Sequence, residues 1–468
     1  MQLNGEEKEK TTEEKEEKTK KTQGKTVKKR VWIAVLSVFL AVFCFFGGFF
    51  TYSWTLDKEM RSLIWAKKKI QSEYNYEITD EEFYEAMFDA VESLLDPYSE
   101  YLTEKEYRER LQESTGRWSG MGLRFLTADE QGESQLLVVK VSGNSPAERL
   151  GITVGTQILG YGKKEEEIVR DTDYQKFSDF ILERQEKEDF FLLIKDGKTG
   201  EERVCQIAKE NFIENYVFYR TGEKSYAFTG EKADKLTETG NPLSCLSSDT
   251  AYIRLTQFNG RAAKAFDSAM SLFKQEKKQR LVLDLRGNGG GDMEILKEIA
   301  KYFCKTAQTT QPTIAKAYYR NGRKQSFRAP ANLYYEYFSE TSKICVLADN
   351  DTASASECLI GCMVDYGAIG FGDIYLAERF HLLSTKDGIE TVYETKTYGK
   401  GIMQTTFPRT LFGSEAIKLT TASIVWPISD TCIHGVGVTQ EQGAHKIPYG
   451  GYTDVEIERA VNAFYTKA

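Results

Sequence analysis

From residue 250 onward the chain alternates short apolar runs with amphipathic ones, and few architectures accept that order. "TAYIRLTQF" (250–258) is followed by "RAAKAFDSAMSLFKQ" (261–275), "RLVLDL" (280–285) by "MEILKEIAKYF" (293–303), and "KICVLAD" (343–349) by a helical pattern beginning near Ser354. Runs of four to eight aliphatic and aromatic residues read as strands, and apolar residues three and four apart read as helices. Their alternation predicts a mainly parallel sheet covered by helices.

The preceding residues have other textures. Residues 57–115 carry apolar side chains at helical spacing, as in "EEFYEAMFDAVESLL", with "DPYSEYL" as a turn inside them. In 116–210, "WSGMGLRF", "QLLVVKV", "GNSPAERLGI" and "DFFLLIKDG" combine short strands, Gly turns and two brief helices, which predicts a compact α/β module. Residues 211–468 then form the sheet-and-helix core. A chain of 468 residues exceeds what one core holds, so several domains are expected.

One segment breaks the soluble pattern. Val31 to Trp54 is 24 residues without a charge, enough for a hydrocarbon core that needs about 20. It lacks a polar face and a small-x-small cleavage site, so a retained transmembrane anchor is expected over a buried helix or a removed leader. The "KTVKKR" before it places residues 1–30 in the cytoplasm as a Lys/Glu/Thr-rich tail too polar to fold. The expected localisation is therefore a single-pass protein of the cell membrane, N-terminus cytoplasmic, with everything after about Leu56 extracytoplasmic. Net charge is −8 with a pI near 5.4, which argues against a nucleic-acid partner. Oligomeric state is left open.

Two strand–loop–helix units carry the chemical signal. "LVLDL" runs into "RGNGGGD" and a helix. Glycines let amides approach a ligand, but the Gly-Lys-Ser/Thr ending of a phosphate loop and the third glycine of a dinucleotide fingerprint are missing. A tight turn and an oxyanion hole both remain as readings. In "NDTASASECLIGCMVDYG", three hydroxyls precede a helix and could be caps or include a nucleophile. With only His381, His434 and His445 available, a Ser-His-Asp triad is not expected. A lysine can serve as base when burial neutralises it, and Lys400 between two glycines in "TYGKGIMQTTF" is the candidate. Eight cysteines include Cys44 in the apolar run; the other seven show no C-x-x-C pair and read as small buried residues. Cys358 and Cys362, four apart without His partners, are expected to pack rather than bind metal.

Taken in order, "DPYSEYL", "WSGMGLRF…VSGNSPAERLGITVGTQIL", "AYIRLTQF", "LVLDLRGNGGG", "TASASE", "TYGKGIMQ" and "IKLTTASIVWPISDTCIHGVGVTQ" resemble the C-terminal processing peptidases. The resemblance runs from about Asp96 to the end. It implies Ser354 as nucleophile, Lys400 as general base, Gln404 as the residue orienting the lysine, and Gly290 and Ala355 amides as the oxyanion hole. Thr352 lies ahead of the matched serine, and Ser356 is the expected helix cap. Lys400 stands 46 positions after Ser354, a longer interval than the family's, with the extra residues around 373–394 read as a hairpin or lid. Gly289 replaces the family's usual proline.

The resemblance also makes 116–210 a PDZ domain, whose loop at Met121, Gly122, Leu123 and Arg124 would hold a peptide's terminal carboxylate. The expected fold is thus α/β: a helix-covered sheet protease core with an inserted PDZ domain, preceded by a helical segment (57–115) and one N-terminal transmembrane helix (31–54). The expected function is a membrane-anchored serine endopeptidase that needs no cofactor or metal. Its expected partners are the C-terminal tails of extracytoplasmic proteins. The alternative is a catalytically inactive, membrane-tethered PDZ scaffold.

Overall fold

Strands buried on both faces explain the long apolar runs of the core. In Thr250–Leu255, Arg280–Asp284 and Lys343–Ala348, alternate side chains enter different clusters. Ala251, Ile253, Leu281, Leu283, Ile344 and Val346 pack with helices Ala262–Gln275, Met293–Ala300 and Ala355–Asp365. Tyr252, Val282, Cys345 and Leu347 pack on the other face with Ile457, Ala460, Val461 and Phe464 of the helix Asp454–Thr466. The structure, a computed structural model, describes residues 57–126, 136–197, 199–307, 311–385, 388–409, 414–450 and 454–466, and scattered positions between 32 and 43.

These strands belong to an eight-stranded sheet. Its order is 235–238, 225–229, 217–220, 250–255, 280–284, 343–348, 374–377 and 445–447. From 250–255 to 445–447 every pairing is parallel, and the first three strands are antiparallel. The helix Ala355–Asp365 is buried at nine of its positions and has no polar face, as expected of a helix enclosed by the core. Gly361 makes that enclosure feasible, since a Cβ there would lie 2.2 Å from the Trp426 ring.

A five-stranded sheet supplies the other wall of the site. Its hub is Ala416–Val425, which pairs with Glu100–Leu102, Ile402–Pro408 and Thr313–Tyr319; Lys324–Arg328 extends it beyond Thr313–Tyr319. A third, antiparallel sheet runs 123–126, 137–141, 157–162, 189–195 and 202–208 in chain order, around its own core of Val138, Ile158, Phe177, Phe190, Leu192 and Ile194. The ribbon Arg117–Gly120 with Glu210–Ile213 frames this module at both ends. The extra residues after 373 give the strand Ile374–Ala377 and a hairpin, Arg379–Thr385 with Gly388–Glu394.

Residues 95–468 make one compact unit and 1–94 another. In the latter, Lys58–Glu73 is capped by Asp57, and Asp80–Glu92 carries a capping box in which Thr79 and Glu82 exchange hydrogen bonds. Among the described residues no helix is long and apolar enough to cross a membrane. Most of the 31–54 run, and all of the 1–30 tail, lie outside the described residues.

Candidate active site

Ser354 sits where the strand Lys343–Ala348 hands over to the helix beginning at Ala355. Its backbone is at φ 57°, ψ −114°, a region that costs a non-glycine residue about 1–3 kcal/mol. Three contacts impose that turn. Thr352 Oγ1 accepts from Asp349 N–H and donates to the Leu285 carbonyl, both at 2.9 Å. Ala353 N–H donates to the Asn288 carbonyl at 3.0 Å. Ser356, read from sequence as the helix cap, is instead fully buried and donates its hydroxyl to that same Asn288 carbonyl at 2.9 Å. Its oxygen serves the tie between two loops because Ser354 already occupies the capping position.

The glycine-rich loop lies against this turn. A Cβ on Gly290 (φ 101°) would come within 2.8 Å of Ser354 Cβ, so only glycine permits the approach. The Gly290 amide donates to Asn288 Oδ1 at 3.0 Å, so an oxyanion would have to draw it away from that acceptor. Ala355 N–H, at the first helical position, is one of the amides an α-helix leaves without an internal partner. Buried charges register the two loops: Asp349 accepts from Gly287 N–H at 2.9 Å and from Arg379 at 2.9 Å, and Arg379 reaches Glu456, which also takes Arg286.

One buried carboxylate joins the Ser354 turn to Lys400. Glu357 Oε2 accepts from Ser354 N–H at 3.0 Å and Lys400 N–H at 2.9 Å, and Oε1 from Gly399 N–H at 2.8 Å and Thr397 Oγ1 at 2.6 Å. Burial pushes its pKa up, against those four bonds. The backbones of residues 354 and 400 are thereby pinned within 3.0 Å of a single oxygen. Lys400 is half-buried, with Nζ 4.8 Å from the Tyr98 ring centroid. Burial first, and then the Lys418 ammonium, hold its pKa below the ordinary lysine value. Tyr98 donates its hydroxyl to that of Tyr398 at 3.2 Å; this bond and burial push its own pKa up to about 12. A cavity of about 510 Å³ beside them is lined by Tyr98, Tyr398, Gly399, Ile402, Thr420 and His434.

The side chains are less closely joined than the backbones. Among the described residues no hydrogen bond links Ser354 Oγ to Lys400 Nζ, and the Gln404 amide donates to Thr420 Oγ1 at 3.1 Å. Met121 is buried in the core of the 117–213 module, Gly122 has φ 79° against Ser145, and Leu123 and Arg124 open the edge strand Leu123–Leu126. They lie in that module, apart from the Ser354–Lys400 wall. Of the seven cysteines outside the apolar run, five are buried and no His/Cys/Asp/Glu cluster suited to a metal occurs among the described residues.

Residues 249–373, which include Ser354 and the glycine-rich loop, match peptidase family S41. The chain is 26% identical over 389 residues to a carboxyl-terminal-processing protease of Picosynechococcus sp., covering 82% of this chain and 79% of that protein. It is 26% identical over 396 residues to the chloroplastic carboxyl-terminal-processing peptidase 2 of Arabidopsis thaliana, covering 84% of this chain and 66% of that protein. Among solved structures it is similar to the photosystem II D1 C-terminal processing protease, with a TM-score of 0.43 and 20% identity over 79% of this chain and 84% of that one. Sequence reasoning passed over Glu357, although it follows Ser354 by three residues, and assigned no role to Asp96, Tyr98 or Thr420. The first could have been found as the acid of a Ser-x-x-Glu pair.

Proposed function

We propose that this chain is a serine endopeptidase of the cell membrane that cleaves extracytoplasmic proteins near their C-termini. The observation that carries the reading is Glu357 Oε2, which takes the amides of both Ser354 and Lys400 and so holds a strained serine beside a lysine of depressed pKa. Ser354 Oγ attacks the peptide carbonyl while its proton passes to the neutral Lys400 amine, with Gln404 orienting that amine. The Ala355 amide, joined by Gly290 once it leaves Asn288, stabilises the tetrahedral oxyanion. Lys400 returns the proton to the leaving amine as the C–N bond breaks, and water then hydrolyses the acyl-enzyme by the same route.

Substrate choice is assigned to 116–210 acting as a PDZ domain. Its edge strand Leu123–Leu126 is paired on one side, with Leu137–Val141, and among the described residues no strand pairs with its other side, where a peptide strand could be added. Phe125 on that strand packs on Phe177 of the helix Tyr174–Leu182, ring centroids 5.5 Å apart, which anchors the edge strand to the module's core. The membrane anchor is assigned to 31–54 on its uncharged length and basic flank.

The test is Ser354→Ala in the full chain. Cleavage of a peptide with a free apolar C-terminus is expected to vanish, as is labelling by a serine-directed phosphonate, while the fluorescence-monitored melt stays cooperative. Retained cleavage or labelling would exclude Ser354 as nucleophile, and a folded chain with no cleavage even before substitution would favour the scaffold alternative.

A further inference from the structure

We propose that Asp96 and Thr420 are positioning residues that turn the Gln404 side chain so that its carbonyl oxygen, and not its NH2, is free to face the catalytic lysine. The inference rests on the Ser354–Lys400–Gln404 reading above and follows from counting hydroxyl protons. A threonine hydroxyl has one proton to give and lone pairs to accept. Thr420 Oγ1 gives its proton to Asp96 Oδ1 at 3.1 Å. It can therefore only accept from Gln404, and the Gln404 atom at 3.1 Å must be the nitrogen. Gln404 Oε1 makes no hydrogen bond among the described residues.

The carboxylate at the start of this chain is itself fully assigned. Tyr98 N–H donates to Asp96 Oδ1 at 2.9 Å, and Ser99 Oγ donates to Oδ2 at 3.0 Å. Ser99 Oγ also accepts the Thr420 amide at 2.9 Å through a lone pair, while its one proton is committed to Asp96 Oδ2 and is not available to reverse the direction. Every donor points at Asp96 and none can be returned, which makes the order Gln404 to Thr420 to Asp96 a one-way relay. Strand register builds it: Glu100–Leu102 pairs with 416–418 and brings the "DPYS" turn to Thr420. A register shift between Met403 and Gln404 then sets Gln404 directly opposite Thr420.

The direction matters to catalysis. A lysine amine offers protons to its neighbours and needs its lone pair aimed at the serine; an acceptor held beside it fixes that aim, whereas an inverted amide would set NH2 against N–H. Without the relay the two amide orientations compete, and the base is held in a productive pose only part of the time.

The test compares Thr420→Val, Thr420→Ser, Gln404→Ala and the double variant Gln404→Ala/Thr420→Val in the full chain, with Lys400→Ala as reference. Thr420→Val is expected to lower kcat by about tenfold to hundredfold with KM little changed. It should also move the acidic limb of the pH–kcat profile to lower pH, because the ammonium loses an acceptor. Thr420→Ser should restore both. Thr420→Val should cost nothing further in the Gln404→Ala background, since the relay acts only through that amide. Equal losses in the two backgrounds, an unmoved pH limb, or failure of serine to rescue would overturn the proposal. If Lys400→Ala retains activity, the base assignment itself falls; if Lys400→Ala is inactive and Thr420→Val is normal, only the relay falls.

Discussion

Replacing Glu357 by glutamine changes one oxygen to NH2 at almost constant shape, and the structure dictates the cost. Four donors converge on the carboxylate and no acceptor faces it. In one orientation the new NH2 meets the amides of Ser354 and Lys400; in the other it meets the Gly399 amide and the Thr397 hydroxyl. That hydroxyl already accepts from Val438 N–H at 2.7 Å. Either way about two charge-assisted hydrogen bonds are lost, each contributing about 1.5–3 kcal/mol. The expected destabilisation is therefore about 3–6 kcal/mol, a large part of the total of about 5–15 kcal/mol usual for a folded domain. Urea unfolding followed by tryptophan fluorescence measures it, because Trp426 packs on Gly361 of the same helix as Glu357. Below the unfolding midpoint, kcat/KM for peptide cleavage should fall by about 10²-fold or more as the serine and lysine lose their common anchor. A Glu357→Gln variant with unfolding free energy within about 1 kcal/mol of the original, and with normal kcat/KM, would refute the claim that this carboxylate holds the site together.

Two further outcomes follow from the same geometry. The base must be a neutral amine, so kcat/KM should rise with pH through the Lys400 titration, and because burial and Lys418 depress that pKa the midpoint should lie below the ordinary lysine value of 10.5; a profile with no such acidic limb would count against Lys400. Ser354→Gly and Ser354→Ala should both be inactive, but the glycine variant should be the more stable by about 1 kcal/mol or more, because it relieves the strain at φ 57° that alanine retains. Equal melting temperatures would show that the turn is unstrained.

The core sheet was legible because its signal is local. A short continuous apolar run, as in Leu281, Val282 and Leu283, set between helical patterns needs no knowledge of partners to be read as a strand between two layers. The hairpin Arg379–Thr385 with Gly388–Glu394 was anticipated, as a hairpin or lid at 373–394, only from the long interval between Ser354 and Lys400 relative to the family the motifs resemble. Ser356 was misread as the cap, since a capping pattern says nothing about which hydroxyl a distant carbonyl will claim, and here the carbonyl is that of Asn288. The glycines of the 286–292 loop left a tight turn and an oxyanion hole both open, and the capture of the Gly290 amide by the Asn288 side chain depends on a torsion that no spacing reports.

What the amino-acid order determined alone is the strand-and-helix pattern of the core and the apolar segment at 31–54, because each follows from propensities and periodicities that act within a few residues; the candidate reactive side chains came from a resemblance between motifs. Tertiary structure decided which of those side chains meet. Glu357 joins residues 43 positions apart, and Asp96 reaches Thr420 across 324. Such contacts depend on strand order and register, which are settled by burial across the whole core rather than by any local pattern.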